Sequence, residues 1–496
     1  MTEPLSYGAQ LRTWAEQRPM DLAVTVVNAE DREDSLTYGA LARRAAALAH
    51  RLLDLGVGQG DMVPLALPNS PEVFTALFGV WMTGACPAPL RHDMADAERP
   101  RVLALLKPKA FIGDWETEAA RIPRADLRGP APDDRSLPDM ADVIPGRMWA
   151  IGSGGSTGTP KMIVSLRPAS VAARYGVMLE HATTAASCQV ICGPLYHSHG
   201  LLLSMGSLLA GDRIVVLQRF DAAQAARMIE RHRAVMVGMV ATMLMRFLRL
   251  PDLDSYDLSS LQLMLAGAGS IPNAVAERWI RLLGPERILV GYGSSEGAGA
   301  AIITGAELLK KPGSVGRASE SDIRIQDEDG RELAPGEVGE IYLRPHAGKT
   351  FAYLGSPEPP ITPDGFMSVG DLGWLDEDGY LYIAERRTDM VKTGGVNVFP
   401  AEVETRLMEH PEVADVAVIG MPDAEWGRRL HAIVVPRDPS RPPTPEALSA
   451  HCRAQLSPPK VPKTYEFIDS LPRNDAMKLN RRLLTEERIA ALEARA

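Results

Sequence analysis

The sequence predicts an α/β protein. A large N-terminal region is expected to hold two parallel-sheet α/β subdomains and a small β subdomain, followed by a small mobile α+β domain. Three observations carry this. Strand-like and helix-like stretches alternate at βαβ spacing up to about residue 115. Several later apolar runs end in small or polar residues, as buried parallel strands do. From about residue 312 the texture changes to short strands and turns. At 496 residues the chain exceeds one hydrophobic core, so two or more domains are expected. Arg386-Arg387-Thr388-Asp389 reads as the boundary, giving domains 1–388 and 389–496.

Leu36-Thr37-Tyr38 reads as a strand leading into a helix. That helix carries the alanine-rich run Leu41 to Ala49, a strong helix former. Gly56 to Asp61 is a turn, and Met62 to Leu67 a buried strand. Asn69-Ser70-Pro71-Glu72 should cap a helix over 72–83 that ends at Gly84, followed by a strand over 85–90. Residues 115–147 are polar and proline-rich and read as an irregular loop. Further strands are expected at Gln189–Gly193, Ala234–Ala241, Leu263–Gly269 and Ile288–Gly297. Gly339 to Arg344 belongs to the small β subdomain, with a hairpin around Asp376-Glu377-Asp378-Gly379. The last unit should carry strands near 413–419 and 430–436. No internal repeat is present.

Hydrophobic residues make up 45% and charged residues 23%, the balance of a soluble globular protein. A net charge of −10 argues against nucleic acid or an anionic membrane as main partner. No apolar run approaches the roughly 20 residues of a membrane span. The N-terminus lacks the basic and apolar regions of a secretory signal. Cys86, Cys188, Cys192 and Cys452 make no disulfide framework and are expected as reduced core residues of a cytoplasmic protein.

The most informative stretch is Gly152-Ser153-Gly154-Gly155-Ser156-Thr157-Gly158-Thr159-Pro160-Lys161. Apolar runs flank it, so it reads as a turn between two strands. Glycines let several backbone N–H groups converge, hydroxyls add donors, and Lys161 adds a cation, which suits a polyphosphate. A flexible linker is the bland alternative, but linkers rarely lie between apolar strands. The order Pro-Lys-Met also excludes the Walker motif. Ligands collect at the carboxyl ends of strands in open α/β sheets. One pocket is therefore expected between Tyr196–Gly200, Gly238–Ala241, Ala266–Gly269 and Gly291–Glu296.

Ser156-Thr157-Gly158-Thr159-Pro160-Lys161 resembles the phosphate loop of the adenylate-forming superfamily, in particular its acyl- and aryl-CoA synthetases. Four further motifs follow in the family's order. They are Tyr292-Gly293-Ser294-Ser295-Glu296, Gly370-Asp371 with Arg386, Lys392 to Glu404, and Pro472-Arg473-Asn474 with Lys478. Each alone is ordinary turn chemistry; the ordered set is not.

The resemblance implies formation of an acyl-adenylate from ATP and a carboxylic acid, followed by transfer to CoA. Catalysis there is mostly positioning and charge stabilisation. Lys478, Glu296 and His197 are the implied catalytic residues, and Glu296 would hold Mg²⁺. The implied nucleotide site comprises Ser153, Gly155, Ser156, Thr157, Gly158, Lys161, Gly267, Ala268, Gly291, Tyr292, Gly293, Ser294, Ser295, Asp371, Ile383, Arg386 and Lys392. Asp371 would accept from the ribose hydroxyls, and Tyr292 would stack on adenine. Tyr196, His197, Gly200, Gly238, Ala241, Ala266, Gly267, Gly291 and Gly297 would form a roomy acid pocket, suited to an aryl or other bulky acid. Gly394 and Gly395 would border the thiol tunnel. His197 also reads as a structural histidine, and Lys478 as a surface lysine. The chain departs from the family pattern at Gly154, Met162, Glu385, Thr388 and Met477, none of them a charged catalytic group. A separate carrier protein, an amine, or nitrite activation for diazotisation of an aryl amine are alternative second steps. A nucleotide-binding module without catalysis is a further alternative, and a homodimer is among the expected assemblies.

Overall fold

The computed structural model describes residues 5–129, 142–152, 161–171, 187–267, 271–386, 389–393, 396–423, 425–474, 477 and 479–493. The alanine-rich run forms the helix Tyr38–Asp54, opened by Thr37, whose hydroxyl accepts from the Ala40 N–H. Its apolar face packs on the helix Pro71–Trp81, every residue of which is buried. Ser70 occupies the N-cap of that second helix without a side-chain capping bond, contrary to the expected cap. Pro71 supplies the start instead, since its missing N–H needs no partner there. Asn69 has a different task. Its amide donates to the Gly193 and Leu217 carbonyls, and its oxygen accepts from the Leu195 N–H.

The apolar strands predicted between residues 189 and 297 join one nine-stranded sheet, while those predicted at 62–67 and 85–90 join a second. The parallel centre of the first runs Leu22–Val27, Arg213–Leu217, Cys188–Ile191, Met236–Val240, Leu263–Gly267 and Ile288–Gly293. Antiparallel strands close its edges, Glu33–Thr37 on one side and Ala300–Thr304 with Arg317–Ser319 on the other. A second, four-stranded parallel sheet holds Cys86–Pro89, Met62–Ala66, Ala110–Gly113 and Ala120–Ile122. The last of these strands, and the short 3₁₀ turn Arg124–Leu127, fall where a wholly irregular loop was expected. Three residues are too few to show a period in sequence; pairing to Ala110–Ile112 makes them a strand.

The β-rich region forms a four-stranded antiparallel sheet of Ser321–Gln326, Gly339–Pro345, Met367–Leu375 and Leu381–Arg386. A separate core follows, built on the hairpin Val413–Asp423 with Gly427–Pro436 and covered by the helices Pro400–Met408 and Pro445–Arg453. Both hairpin strands are longer than the sequence suggested. Among the described residues, the contacts that tie this unit to the rest include the following two. The Arg249 guanidinium donates to the Ala414 carbonyl. Met477, 8% exposed, belongs to the same core cluster as Trp279 and Tyr380. Met477 has a φ of 61°, a left-handed conformation that strains any residue with a Cβ. All four cysteines are buried free thiols, and burial pushes Cys86 and Cys192 up to about 12.

Candidate active site

Three adjacent parallel strands, Met236–Val240, Leu263–Gly267 and Ile288–Gly293, end side by side. Side chains alternate between the faces of a strand. Met236, Leu265 and Leu289 therefore enter one core cluster, and Val237, Met239, Ala266 and Val290 the other. Gly238, Gly267 and Gly291 share the first face. Ala266 turns its methyl to the opposite core, so it can meet a ligand only with backbone. The space over Gly238 is taken by Leu203, whose Cδ1 lies 2.2 Å from where a Cβ would stand. Over Gly267 lies the His199 imidazole, with Cε1 and Nδ1 3.2 Å from a Cβ position there. Gly200 serves packing: a Cβ would stand 2.6 Å from the Pro194 carbonyl oxygen. Gly297, at φ 61°, turns the chain after Glu296 and faces open space. Ala241 starts the short helix Ala241–Phe247 and is partly buried.

The helix Ser198–Ala210 brings its first turn to the same end of the sheet. Ser198 Oγ lies 2.9 Å from Ser295 Oγ, joining this turn to the loop that follows Ile288–Gly293. His197 occupies the N-cap position without a capping bond from its side chain, its ring 4.6 Å from that of Tyr196. Beside Tyr196 opens a cavity of about 360 Å³, whose walls include Asn69, His92, Cys192, Arg219 and Phe220.

Glu296 is held at both ends. Its backbone carbonyl accepts from Thr350 Oγ1 at 3.2 Å, and its Oε1 accepts from the Tyr353 hydroxyl at 2.8 Å. The Lys161 ammonium lies 4.0 Å from the same Oε1 and 3.4 Å from the centroid of the Tyr353 ring. No local sequence signal marks Tyr353. It becomes visible only because the strand Phe351–Leu354 pairs with Met162–Ser165, immediately after Lys161.

Asp371, 7% exposed, accepts from the Tyr292 hydroxyl at 2.8 Å across 79 residues of sequence. Its neighbour in register is Arg386, and Ile383 stands opposite Gly373. Gly370, at φ 87°, precedes Asp371 within the strand Met367–Leu375, where the register with Gly339–Pro345 shifts. Ser294 Oγ is buried, and Gly293 is exposed at the strand end. Lys392 is exposed on the small hairpin of Val391–Thr393 with Val396–Val398.

Ser153, Gly155, Ser156, Thr157, Gly158, Ala268, Gly394, Gly395 and Lys478 lie outside the described residues, as does the side chain of Arg386. The donor set fits the expected cation. Among the described residues no three His, Cys, Asp or Glu cluster into a metal cage. Mg²⁺ is commonly held by one or two carboxylates together with substrate phosphates, and Glu296 supplies one carboxylate.

A sequence model of AMP-binding enzymes matches residues 11–349, and one of the AMP-binding enzyme C-terminal domain matches 402–478. The chain belongs to the AMP-binding enzyme family. Within the adenylate-forming superfamily it is of the acyl- or aryl-CoA synthetase type. This family member is 34% identical to a feruloyl-CoA synthase of an Amycolatopsis species over 461 residues, covering 90% of this chain and 92% of the relative. It is also 34% identical to a long-chain-fatty-acid–CoA ligase of Bacillus subtilis, covering 91% and 90%. Its fold matches the o-succinylbenzoate CoA synthetase of Bacillus subtilis, solved with its acyl-adenylate intermediate. The TM-score is 0.81 at 26% identity, over 98% of both chains. That synthetase has also been solved with ATP and a magnesium ion. Among the described residues no helix is long and apolar enough to cross a membrane.

Proposed function

We propose that this AMP-binding enzyme activates an aromatic or comparably bulky carboxylic acid with ATP and transfers the acyl group to CoA. The feature that supports the choice of acid is the pair of side-chain-free strand ends at Gly267 and Gly291, with the flat His199 imidazole packed on Gly267 as one wall of the site. A planar acid would stack against the outer side of that imidazole with its carboxylate toward the phosphate end. A polar ring substituent would face the His199 imidazole. Two units carry the reaction, residues 1–388 binding the substrates and 389–496 bringing the catalytic lysine, and it takes place in the cytoplasm.

In the first step a carboxylate oxygen bonds to the α-phosphorus of ATP, and the bond to the bridging oxygen breaks to release pyrophosphate. Two anions must meet, and charge grows on the leaving phosphates. Lys161 and the hydroxyls of the stretch before it would meet that charge, and Ser295 would add a donor. Mg²⁺ bound at Glu296 would neutralise phosphate charge. Asp371 would accept from the ribose hydroxyls, and the Tyr292 ring, held by its bond to Asp371, would stack on adenine. Lys478 bridges the acid carboxylate and the α-phosphate. In the second step the thiol sulfur attacks the acyl carbon, AMP leaves, and the thiol proton passes to solvent. Gly394 and Gly395 would border the path of the thiol arm, and His197 would gate its entry.

A pyrophosphate-release screen over a panel of carboxylic acids, with and without CoA, tests this reading. Acid-dependent release together with a CoA ester in the mass spectrum is expected. Release with no ester would move the second step to another acceptor, and no release with any acid would reject the assignment. Lys478→Ala should abolish adenylate formation while ATP still binds; undiminished release would refute its role.

A further inference from the structure

We infer that Tyr353 is a positioning residue that aims the Glu296 carboxylate and steers the Lys161 ammonium at the phosphate end of the site, an inference that rests on the acid-activating reading above. The three residues come from three separate segments. Lys161 closes the glycine- and hydroxyl-rich stretch, Glu296 lies in the loop after Ile288–Gly293, and Tyr353 sits on the strand Phe351–Leu354. The register Tyr353↔Ile163 and Leu354↔Met162 brings the tyrosine beside the start of the strand that Lys161 leads into.

Both functional parts of the tyrosine are engaged. The hydroxyl donates to Glu296 Oε1 at 2.8 Å, a charge-assisted hydrogen bond that fixes one carboxylate oxygen. The ring face lies 3.4 Å from Lys161 Nζ, a cation–π contact. The ammonium is 4.0 Å from Glu296 Oε1 and the two side chains are only 25% and 12% exposed, so their attraction is weakly screened. Thr350 holds the Glu296 backbone from the same segment. One short strand therefore fixes the main chain and the carboxylate of Glu296 and guides the lysine facing it. When ATP binds, Lys161 exchanges the carboxylate for a phosphate, and Glu296 becomes available to the cation that accompanies ATP. The Tyr353 hydroxyl keeps the carboxylate aimed during this exchange. Such supporting partners shift metal affinity without touching the metal.

The test is calorimetric titration of ATP, without acid or CoA, into the full-length protein in EDTA and again in excess MgCl₂. Tyr353→Phe is expected to lose roughly tenfold in the Mg²⁺-dependent gain of affinity, while metal-free ATP affinity stays unchanged. Tyr353→Leu should also weaken metal-free binding, because Lys161 loses its ring. Tyr353→Phe placed on Glu296→Gln should add nothing, since the hydroxyl acts through that carboxylate. A tyrosine that only supports the fold would lower the melting temperature and shift both titrations together. Tyr353→Phe titrating like the unaltered protein in Mg²⁺, or additive effects in the double variant, would overturn the assignment alone. Failure of the unaltered protein to bind ATP would overturn the assignment together with the reading on which it rests.

Discussion

Replacing Gly267 by alanine adds one methyl behind the His199 imidazole, at one wall of the proposed acid pocket. In the structure that methyl would stand 3.2 Å from Cε1 and Nδ1 of His199 and 3.7 Å from the Gly291 carbonyl oxygen. The first distance is shorter than ordinary van der Waals contact, so the imidazole must give way by a few tenths of an ångström toward the substrate. The second is comfortable. Glycine inside a strand is destabilising by roughly 0.5–1 kcal/mol relative to alanine, so folding should not suffer. The cost therefore falls on the acid. One methyl in a close-fitting pocket is worth about 1–3 kcal/mol, or roughly 10–200-fold in kcat/KM. Pyrophosphate release should be measured over acids of graded width, at saturating ATP and again with ATP varied. The expected result is a loss that grows with the width of the acid, with KM for ATP unchanged. An equal loss for every acid, or a change confined to ATP, would refute the placement of the acid over Gly267.

Met477 makes a prediction that reverses the usual order of substitutions. Met477→Ala loses buried apolar surface and keeps the strained φ of 61°, while Met477→Gly loses the surface but relieves roughly 1–2 kcal/mol of left-handed strain. The glycine variant should be more stable by about 1 kcal/mol in denaturant unfolding, and an alanine variant of equal or greater stability would count against the strain. Glu72, with its side chain 2% exposed, meets Arg124 at 3.1 Å and Arg128 at 3.0 Å. Burial raises its pKa, but the Ser70 hydroxyl and the two guanidinium groups outweigh burial and hold it below the ordinary value. A lowered folded pKa stabilises the native state above the ordinary value of 4.5, and this stability is lost as pH falls through the folded pKa. Glu72→Gln should cost about 2–3 kcal/mol at pH 7. That is less than a fully buried pair loses, because Arg128 is 56% exposed. The two unfolding curves should converge in acid, and a constant offset between pH 7 and pH 3 would refute the linkage.

Much of the fold was legible in order along the chain. Apolar runs such as Ile288–Val290 are buried on both faces of a sheet, and residues with that burden must be continuously apolar, so they stand out in sequence. The glycines that end those strands also stand out in sequence, and at Gly238 and Gly267 the missing side chain makes room for Leu203 and His199. Cap chemistry was less legible. Asn69-Ser70-Pro71 has the composition of a capping segment, yet Asn69 spends its amide on Gly193 and Leu217, more than a hundred residues away. The identity of each pocket wall was not legible either, because period-two alternation assigns a face only once a register exists. Ala266 and Gly267 are consecutive, and only pairing with Met239 and Val240 shows which of them faces the helix Ser198–Ala210. Tyr353 shows the same limit most plainly. One aromatic residue in a four-residue strand carries no local signal, and its role arises when antiparallel pairing sets its ring under Lys161 and its hydroxyl on Glu296. The sequence determined which segments become strands and where glycines and hydroxyls gather, because burial and backbone geometry act locally. Tertiary structure decided which distant side chains hold them in place, because contact between segments depends on register.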